Sequence, residues 1–281
     1  MSLLEALQMI YPDSSNRTLR HMLTQARVSI DGVAENRAKT LIFPGTTIAV
    51  HPRPLPITEK MTGMIHEDDD IIVVSKPAGL LTIATDKMET DTLHSRVQKH
   101  LQKNEENEWG YIVHRLDKET SGIIIFAKSE SAKQHLQQQF SERKVKRYYT
   151  AIVEGELPED GTLSHFLIED RNLRVWVVDE QTKGAREAIT HWTLLETNGM
   201  TSKIELEIGT GRRHQIRVQM AEMGHPVAGD IRHGSKVHCN RLLLHATTLN
   251  FVHPNGNLLT LHSALPNEFE KWRLLQTQDM D

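Results

Sequence analysis

Leu3, Leu4, Leu7 and Ile10 recur at helical spacing until Pro12, which stops the helix. Asp13, Ser14 and Ser15 then offer N-cap side chains for a second helix, whose apolar stripe is Leu19, Met22 and Leu23. Arg17, Arg20 and Arg27 fall off that stripe. The period then changes to two. Val28-Ser29-Ile30 alternates as a strand, Asp31-Gly32 turns, and Thr47-Ile48-Ala49-Val50 reads as a closing strand after Pro44-Gly45. Residues 1–52 are therefore expected to form a small α/β unit. Pro52, Pro54 and Pro56 mark a stiff linker, placed at 53–62, and 63–281 form a larger second domain.

In that larger part Ile71–Val74 is a continuous apolar run, the signal of a buried strand, with Pro77-Ala78-Gly79 turning the chain after it. Thr92–Leu101 looks helical and Asn104–Gly110 looks like a loop. Tyr111-Ile112-Val113 and Ile123–Ala127 are strand-forming segments that flank a polar string. Ser129 can cap a helix in which Ala132, Leu136 and Phe140 recur every fourth residue. The end of that helix is expected to carry Arg143, Lys144, Lys146 and Arg147, which suit the helix dipole. That cluster reads equally as a solvated helix end or as a phosphate-contact patch. Tyr148–Val153 follows as a strand, and residues 155–200 alternate turns with short strands such as Arg174–Val178.

Composition narrows the class. The chain has 281 residues, 38% hydrophobic and 25% charged, as in ordinary globular proteins. Its one cysteine, Cys239, excludes an internal disulfide and fits a reducing compartment. The first residues show no basic segment followed by an apolar core, and no apolar run approaches the roughly 20 residues that span a bilayer. A cytoplasmic protein without membrane partners is expected. The net charge of −4 is not that of a typical nucleic-acid binder. Its distribution leaves room for a basic face, since acid gathers at Glu67–Asp70 and Glu105-Glu106 while base gathers at Arg143–Arg147 and Arg212-Arg213.

Among the sixteen histidines, His225, His233, His238 and His245 are the best metal candidates, together with Cys239, yet their spacings fit no zinc signature. There is no Gly-x-Ser-x-Gly elbow, no dinucleotide fingerprint and no phosphate loop ending Gly-Lys-Ser/Thr. No metal and no nucleotide cofactor is expected.

The most informative stretch is His114-Arg115-Leu116-Asp117-Lys118-Glu119-Thr120-Ser121-Gly122. A turn here holds Asp117 at the mouth of a sheet beside Arg115 and Lys118, where a carboxylate stays ionised, as a nucleophile requires. Thr120 and Ser121 can bond locally to backbone, and Gly122 allows any φ. On its own the string fits equally an Asp117 that caps a turn and pairs with Arg115.

As a motif, His-Arg-Leu-Asp-x-x-Thr-Ser-Gly followed by an apolar strand resembles the signature of RluA-type RNA pseudouridine synthases, in which the aspartate is the nucleophile. Further strings appear in the family's order between Ile65 and Pro254. The acid-rich lead-in, strand and Lys76-Pro77-Ala78-Gly79 resemble its opening motif, read as mainly structural. A basic stretch before Tyr149-Thr150-Ala151-Ile152-Val153 places Tyr149 in the active site by this resemblance, where a phenol can stack on a base and handle a proton. Thr210-Gly211-Arg212-Arg213-His214-Gln215-Ile216-Arg217, then Gly224-His225-Pro226-Val227-Ala228-Gly229-Asp230, resembles the third motif. By position Arg217 is the arginine that pairs with the catalytic aspartate, holding it by two parallel bonds. Arg212 and His214 brace the loop or meet RNA backbone. Gln219 and His233 depart from the family pattern, where histidine and tyrosine are usual, and are expected to lie outside the chemistry. Arg241–Ala246 resembles the last motif and makes Leu244 an apolar wall of the nucleotide pocket.

The N-terminal unit resembles the small RNA-binding domain named after ribosomal protein S-four, although glycine is usual where Ala26 stands and an acid where Thr46 stands. The resemblance implies an α+β fold, with a central mixed or antiparallel sheet, flanking helices and a cleft across it. It implies isomerisation of uridine in RNA by Asp117, Tyr149 and Arg217 after base flipping. Arg115 would fill the vacated stack, Lys146 and Arg147 would meet substrate, and Arg17, Arg20 and Arg27 would supply backbone affinity. Large-subunit rRNA is favoured over tRNA, and a monomer is expected. The competing reading is an RNA-binding or ribosome-assembly factor with a silent site, which an altered Asp117, Tyr149 or Arg217 would have supported.

Overall fold

The computed structural model describes residues 1–24, 27–35, 38–42, 45–51, 63–84, 91–104, 108–237 and 239–275. Ala26, Glu105-Glu106, His238 and the expected linker at 53–62 lie outside the described residues. The chain divides into two compact units, Met1–Thr62 and Gly63–Asp281.

In the first unit, α1 (Leu3–Ile10) opens on a capping box. The Ser2 hydroxyl accepts from the Glu5 amide while the Glu5 carboxylate accepts from the Ser2 amide. The amide of Thr18, in α2 (Asn16–Thr24), donates to Ser15 Oγ at 3.1 Å, so Ser15 caps that helix. Leu3, Leu7, Leu19 and Leu23 close around Val28 as the core, whereas Ile10, expected in the stripe, is exposed because the core ends a turn earlier. β1 (Val28–Ile30), β2 (Val33–Ala34) and β3 (Ile48–Val50) form an antiparallel sheet ordered β2-β1-β3. Asp31 and Gly32 both take positive φ, the geometry of a tight hairpin turn. Arg17 and Arg20 are exposed. Arg27 instead donates from Nε to the His51 carbonyl at 2.7 Å, so part of its guanidinium closes this sheet rather than facing a ligand.

The second unit runs β4 (Met64–Glu67), β5 (Ile71–Lys76), α3 (Leu93–Asn104), β6 (Tyr111–Ile112), β7 (Ser121–Ala127), α4 (Glu130–Ser141), β8 (Lys146–Glu154), β9 (Asp160–Glu169), β10 (Val175–Val178), β11 (Arg186–Thr197), β12 (Thr201–Ile208), α5 (Gln215–Glu222), β13 (Leu244–Val252) and β14 (Leu258–His262). Its eleven described strands make one sheet, ordered β10-β9-β11-β12-β8-β13-β7-β5-β4, with β14 on β13 and β6 on β7. All pairs are antiparallel except β7 with β13, so the fold is α+β with a mixed sheet. The apolar runs of β5 and β7 are buried from end to end in mid-sheet, apart from Ser75. β9 and β11 have 10 and 12 residues, longer than the short strands expected, because the turns around Gly161 and Gly184 lie at strand ends and do not interrupt the pairing. No helix among the described residues is long and apolar enough to cross a membrane.

Two features position the cleft. At the parallel junction His245 pairs with Ser121 and Ala246 with Gly122. A Cβ on Gly122 would fall 2.2 Å from the Ala246 carbonyl oxygen, and Gly122 has φ +120, so only glycine permits this approach. The second feature corrects an expectation. α4, capped by Ser129 as expected, ends at Ser141, so Lys146 and Arg147 begin β8 and do not decorate the helix terminus. Strand alternation then sends them to opposite faces, Lys146 exposed and Arg147 buried.

Candidate functional site

Residues 113–120 form the loop between β6 and β7, and the segment after β5 pins that loop on both sides of Asp117. Upstream, Thr82 Oγ1 donates to the Leu116 carbonyl at 2.8 Å and accepts from the Leu116 amide at 3.2 Å. Downstream, the fully buried Lys76 donates from Nζ to the carbonyls of Lys118, Leu80 and Pro77 at 2.7–3.0 Å, while the Gly79 amide donates to Lys118. Burial, partly offset by Asp117 and Glu119, lowers the Lys76 ammonium to about 8. The opening motif is thus structural, as expected, but its structure is the seat of the Asp117 loop. Ser121 does not bond locally; its hydroxyl meets His245 Nδ1 at 2.7 Å and the Arg241 guanidinium, tying β7 to β13.

The Asp117 side chain is 19% exposed, and two nitrogens stand 3.9 Å from its Oδ2, Arg217 Nη1 and His214 Nε2. The expected two parallel bonds from Arg217 go elsewhere. Its Nε and Nη2 donate to Asp230 Oδ2 and Oδ1 at 2.6 and 2.8 Å, leaving Nη1 for Asp117. His233 Nδ1 also reaches Asp230, at 2.9 Å. Burial opposes ionisation of Asp230, yet Arg217 and His233 prevail and hold its carboxyl far below the usual range. Asp230 and His233, neither expected in the chemistry, therefore orient the arginine. Burial pushes the Asp117 carboxyl up, against the pull of Arg217, Arg115, Arg213 and Lys76. Its cations moderate the shift without reversing it.

His214 occupies the N-cap of α5 in a left-handed conformation, φ 51. Burial first, then Arg217, His233, Arg232 and Arg213, lower its ring to about 3, so it is a neutral wall of the site and no cation for RNA backbone. Its neighbour Gln215 bonds Thr210 and the Ile189 carbonyl, and Gln219 bonds Thr190 and the Ala188 carbonyl, fastening α5 to β11.

A cleft of about 490 Å³ opens beside Asp117. Tyr149 and Leu244, both buried, line it from β8 and β13, with Ile216 and Val113 completing apolar walls. Burial raises the Tyr149 phenol, which the Arg147 charge lowers and the Asp117 charge raises. Arg147 and the half-buried Arg212, whose Nε donates to the Glu187 carbonyl, line the same cleft. Arg115 is exposed at the rim, shared with a second cleft of about 560 Å³ on the other side of Asp117. Lys146 lies outside both, 3.7 Å from Glu207. Chemically this is a carboxylate seated on a rigid loop, beside a cation and a phenol, facing walls suited to a flat ring.

The profile described as RNA pseudouridylate synthase matches residues 70–222. Ribosomal large subunit pseudouridine synthase D of Neisseria meningitidis serogroup B is 34% identical over 282 residues, covering 93% of this chain and 75% of that protein. An uncharacterized RNA pseudouridine synthase of Bacillus subtilis (strain 168) is 40% identical over 74% of this chain and 70% of its own. The solved structure of human RNA pseudouridylate synthase domain containing 4 superposes with a TM-score of 0.66 at 23% identity, covering 79% of this chain and 97% of that one, a likeness of fold.

Proposed function

The chain belongs to the RNA pseudouridylate synthase family, and we propose that its substrate is large-subunit ribosomal RNA, with Asp117 as the nucleophile. The observation that carries this reading is Asp117 itself, seated by Lys76 and Thr82 at the mouth of a cleft that Tyr149, Leu244 and Arg217 share. The target uridine leaves its stack, and Arg115 at the rim occupies the space it vacates. Its ring lies between Tyr149 and Leu244. Asp117 attacks either the sugar's anomeric carbon or the base ring, and the bond from nitrogen to sugar breaks. The freed uracil rejoins the sugar through carbon, and the bond to Asp117 breaks again. The proton lost from that carbon is matched by one gained at the freed ring nitrogen. Arg217, oriented by Asp230, steadies the carboxylate, and the Tyr149 phenol assists the proton that leaves that carbon. Bonds made equal bonds broken, and the product is an isomer of the substrate.

The names of the relatives support the ribosomal choice over tRNA, and Arg17 and Arg20 of the first unit supply backbone affinity. A monomer acting in the cytoplasm completes the proposal; the single cysteine suits that compartment. The test is pseudouridine mapping of total RNA from cells without the protein, complemented with wild type or Asp117→Asn. Discrete large-subunit sites are expected to vanish and to return with wild type alone. Sites that vanish from tRNA instead overturn the substrate. Unchanged sites, with an assembly defect that Asp117→Asn cures, overturn the enzyme reading in favour of a silent assembly factor.

A further inference from the structure

The wall of the cleft away from Asp117 carries positive charge that the nucleophile does not use. Arg147 is 9% exposed and lines the cleft, yet it has no carboxylate partner among the described residues. Among the described residues its side chain makes one hydrogen bond, a long contact from Nη2 to the Ile208 carbonyl at 3.5 Å, and its buried Nε has none. The guanidinium lies over the Phe140 ring at 5.5 Å, and next to it burial and the Arg147 charge keep His114 neutral, near 3. Arg212 stands in the same wall with Arg143 and Arg186 as like-charged neighbours, and Glu187, which faces Arg143 at 3.4 Å, is the one carboxylate in that group.

An unpaired buried guanidinium lowers stability, so its presence here points to a partner that arrives with the substrate. Space has been made for it. A Cβ at Gly211 would sit 2.7 Å from Arg147 Nη1, so a methyl there would push the guanidinium aside, and the Gly211 backbone is not in the left-handed region. Tyr149 feels the charges of both Arg147 and Asp117, and all three line the one cleft.

We propose that Arg147, supported by Arg212 and given room by Gly211, is a phosphate subsite that takes the RNA backbone phosphate flanking the target uridine. The inference rests on the RNA reading above. A planar guanidinium matches a phosphodiester by two parallel bonds, and an anion there meets a buried charge that no carboxylate among the described residues meets. With the phosphate held at Arg147 and Asp117 in the same cleft, the subsite sets how far the flipped nucleotide enters.

The test uses the full chain and an unmodified transcript of large-subunit rRNA, with the logarithm of affinity followed against the logarithm of salt concentration. Arg147→Met is expected to weaken binding about tenfold and to flatten the slope by about 0.7, the value of one single-stranded phosphate contact. Its thermal midpoint should match or exceed that of the wild type. Gly211→Ala, which displaces the guanidinium without removing it, should flatten the slope likewise, and it decides the matter if Arg147→Met does not fold. A wild-type slope in the folded variant, with or without a lowered midpoint, makes the arginine structural and overturns the proposal. Competition by inorganic phosphate with an unchanged RNA slope assigns the hollow to a free anion and also overturns it. Asp117→Asn separates the two readings, since it should keep the wild-type slope while forming no product. If mapping finds no ribosomal site yet Arg147→Met still flattens the slope, the subsite stands and the substrate assignment falls.

Discussion

Asp117 is a carboxylate that burial pushes up while four cations pull it down, and both halves of that balance have measurable consequences. The proposed nucleophile must be ionised, so activity is expected to be lost as pH falls through a point above the ordinary aspartate value. The acid limb of kcat/KM on ribosomal transcript is expected there, and a limb at or below the usual aspartate value, near 3.9, contradicts the raised carboxyl. Because the folded state disfavours the charge, Asp117→Asn should abolish product while leaving the thermal midpoint at neutral pH equal to or above that of wild type. Asp230→Asn should act in the opposite way. It leaves Arg217 buried without its bidentate partner, at a cost of about 3–5 kcal/mol in urea unfolding, and it lowers kcat more than it raises KM because Arg217 loses its aim. A wild-type kcat in that variant removes Asp230 from the orienting role. At this scale the positions of Asp117, Tyr149 and Leu244 were legible, since motif strings carry position. The partner of Arg217 was not, because pairing across 13 residues between a helix and a loop is a relation in space that the string Gly229-Asp230 does not announce.

Among elements, the decisive joint is the parallel pair β7–β13. Gly122→Ala has no conformer at φ +120 and no room against Ala246, so it is expected to destabilise the second unit by about 3 kcal/mol or more, read by urea unfolding. A soluble Gly122→Ala protein with wild-type stability means that the strands can separate without loss, contrary to this packing. β5, β7 and α4 were readable because an unbroken apolar run or a fourfold spacing marks them. α5 was not, and the reason is physical: Gln215, Ile216, Arg217, Val218, Gln219 and Met220 are all buried, polar and apolar alike, so the helix has no apolar stripe to detect. The basic run after Phe140 misled for a related reason. Nothing in Arg143–Arg147 shows where a helix ends, and Arg143 ends up in a left-handed conformation between helix and strand.

For the whole molecule, buried neutral histidines set a pH window. Burial holds His114 and His214 near 3 and His245 near 4, against an unfolded value of about 6.5. Between those limits the unfolded chain binds protons that the folded one refuses, so this contribution to stability is complete above about 6.5 and is lost as pH falls. Asp117, whose carboxyl burial raises, works in the opposite sense. The urea midpoint should therefore drop steadily from pH 6.5 to 4, and His245→Gln should flatten the descent; a level midpoint contradicts the buried neutral rings. Pro52, Pro54 and Pro56 suggested a break between two parts of the chain, whereas the order of eleven strands left no mark in the sequence, because strand pairing depends on partners far apart in it. That distance has a kinetic meaning. Ser121 and His245 must meet across 124 residues before the Asp117 loop has its final frame, and contacts of such long range form slowly. A growing chain thus holds Asp117 long before it holds the cleft around it, which is complete only once the last long strand has been made and has docked.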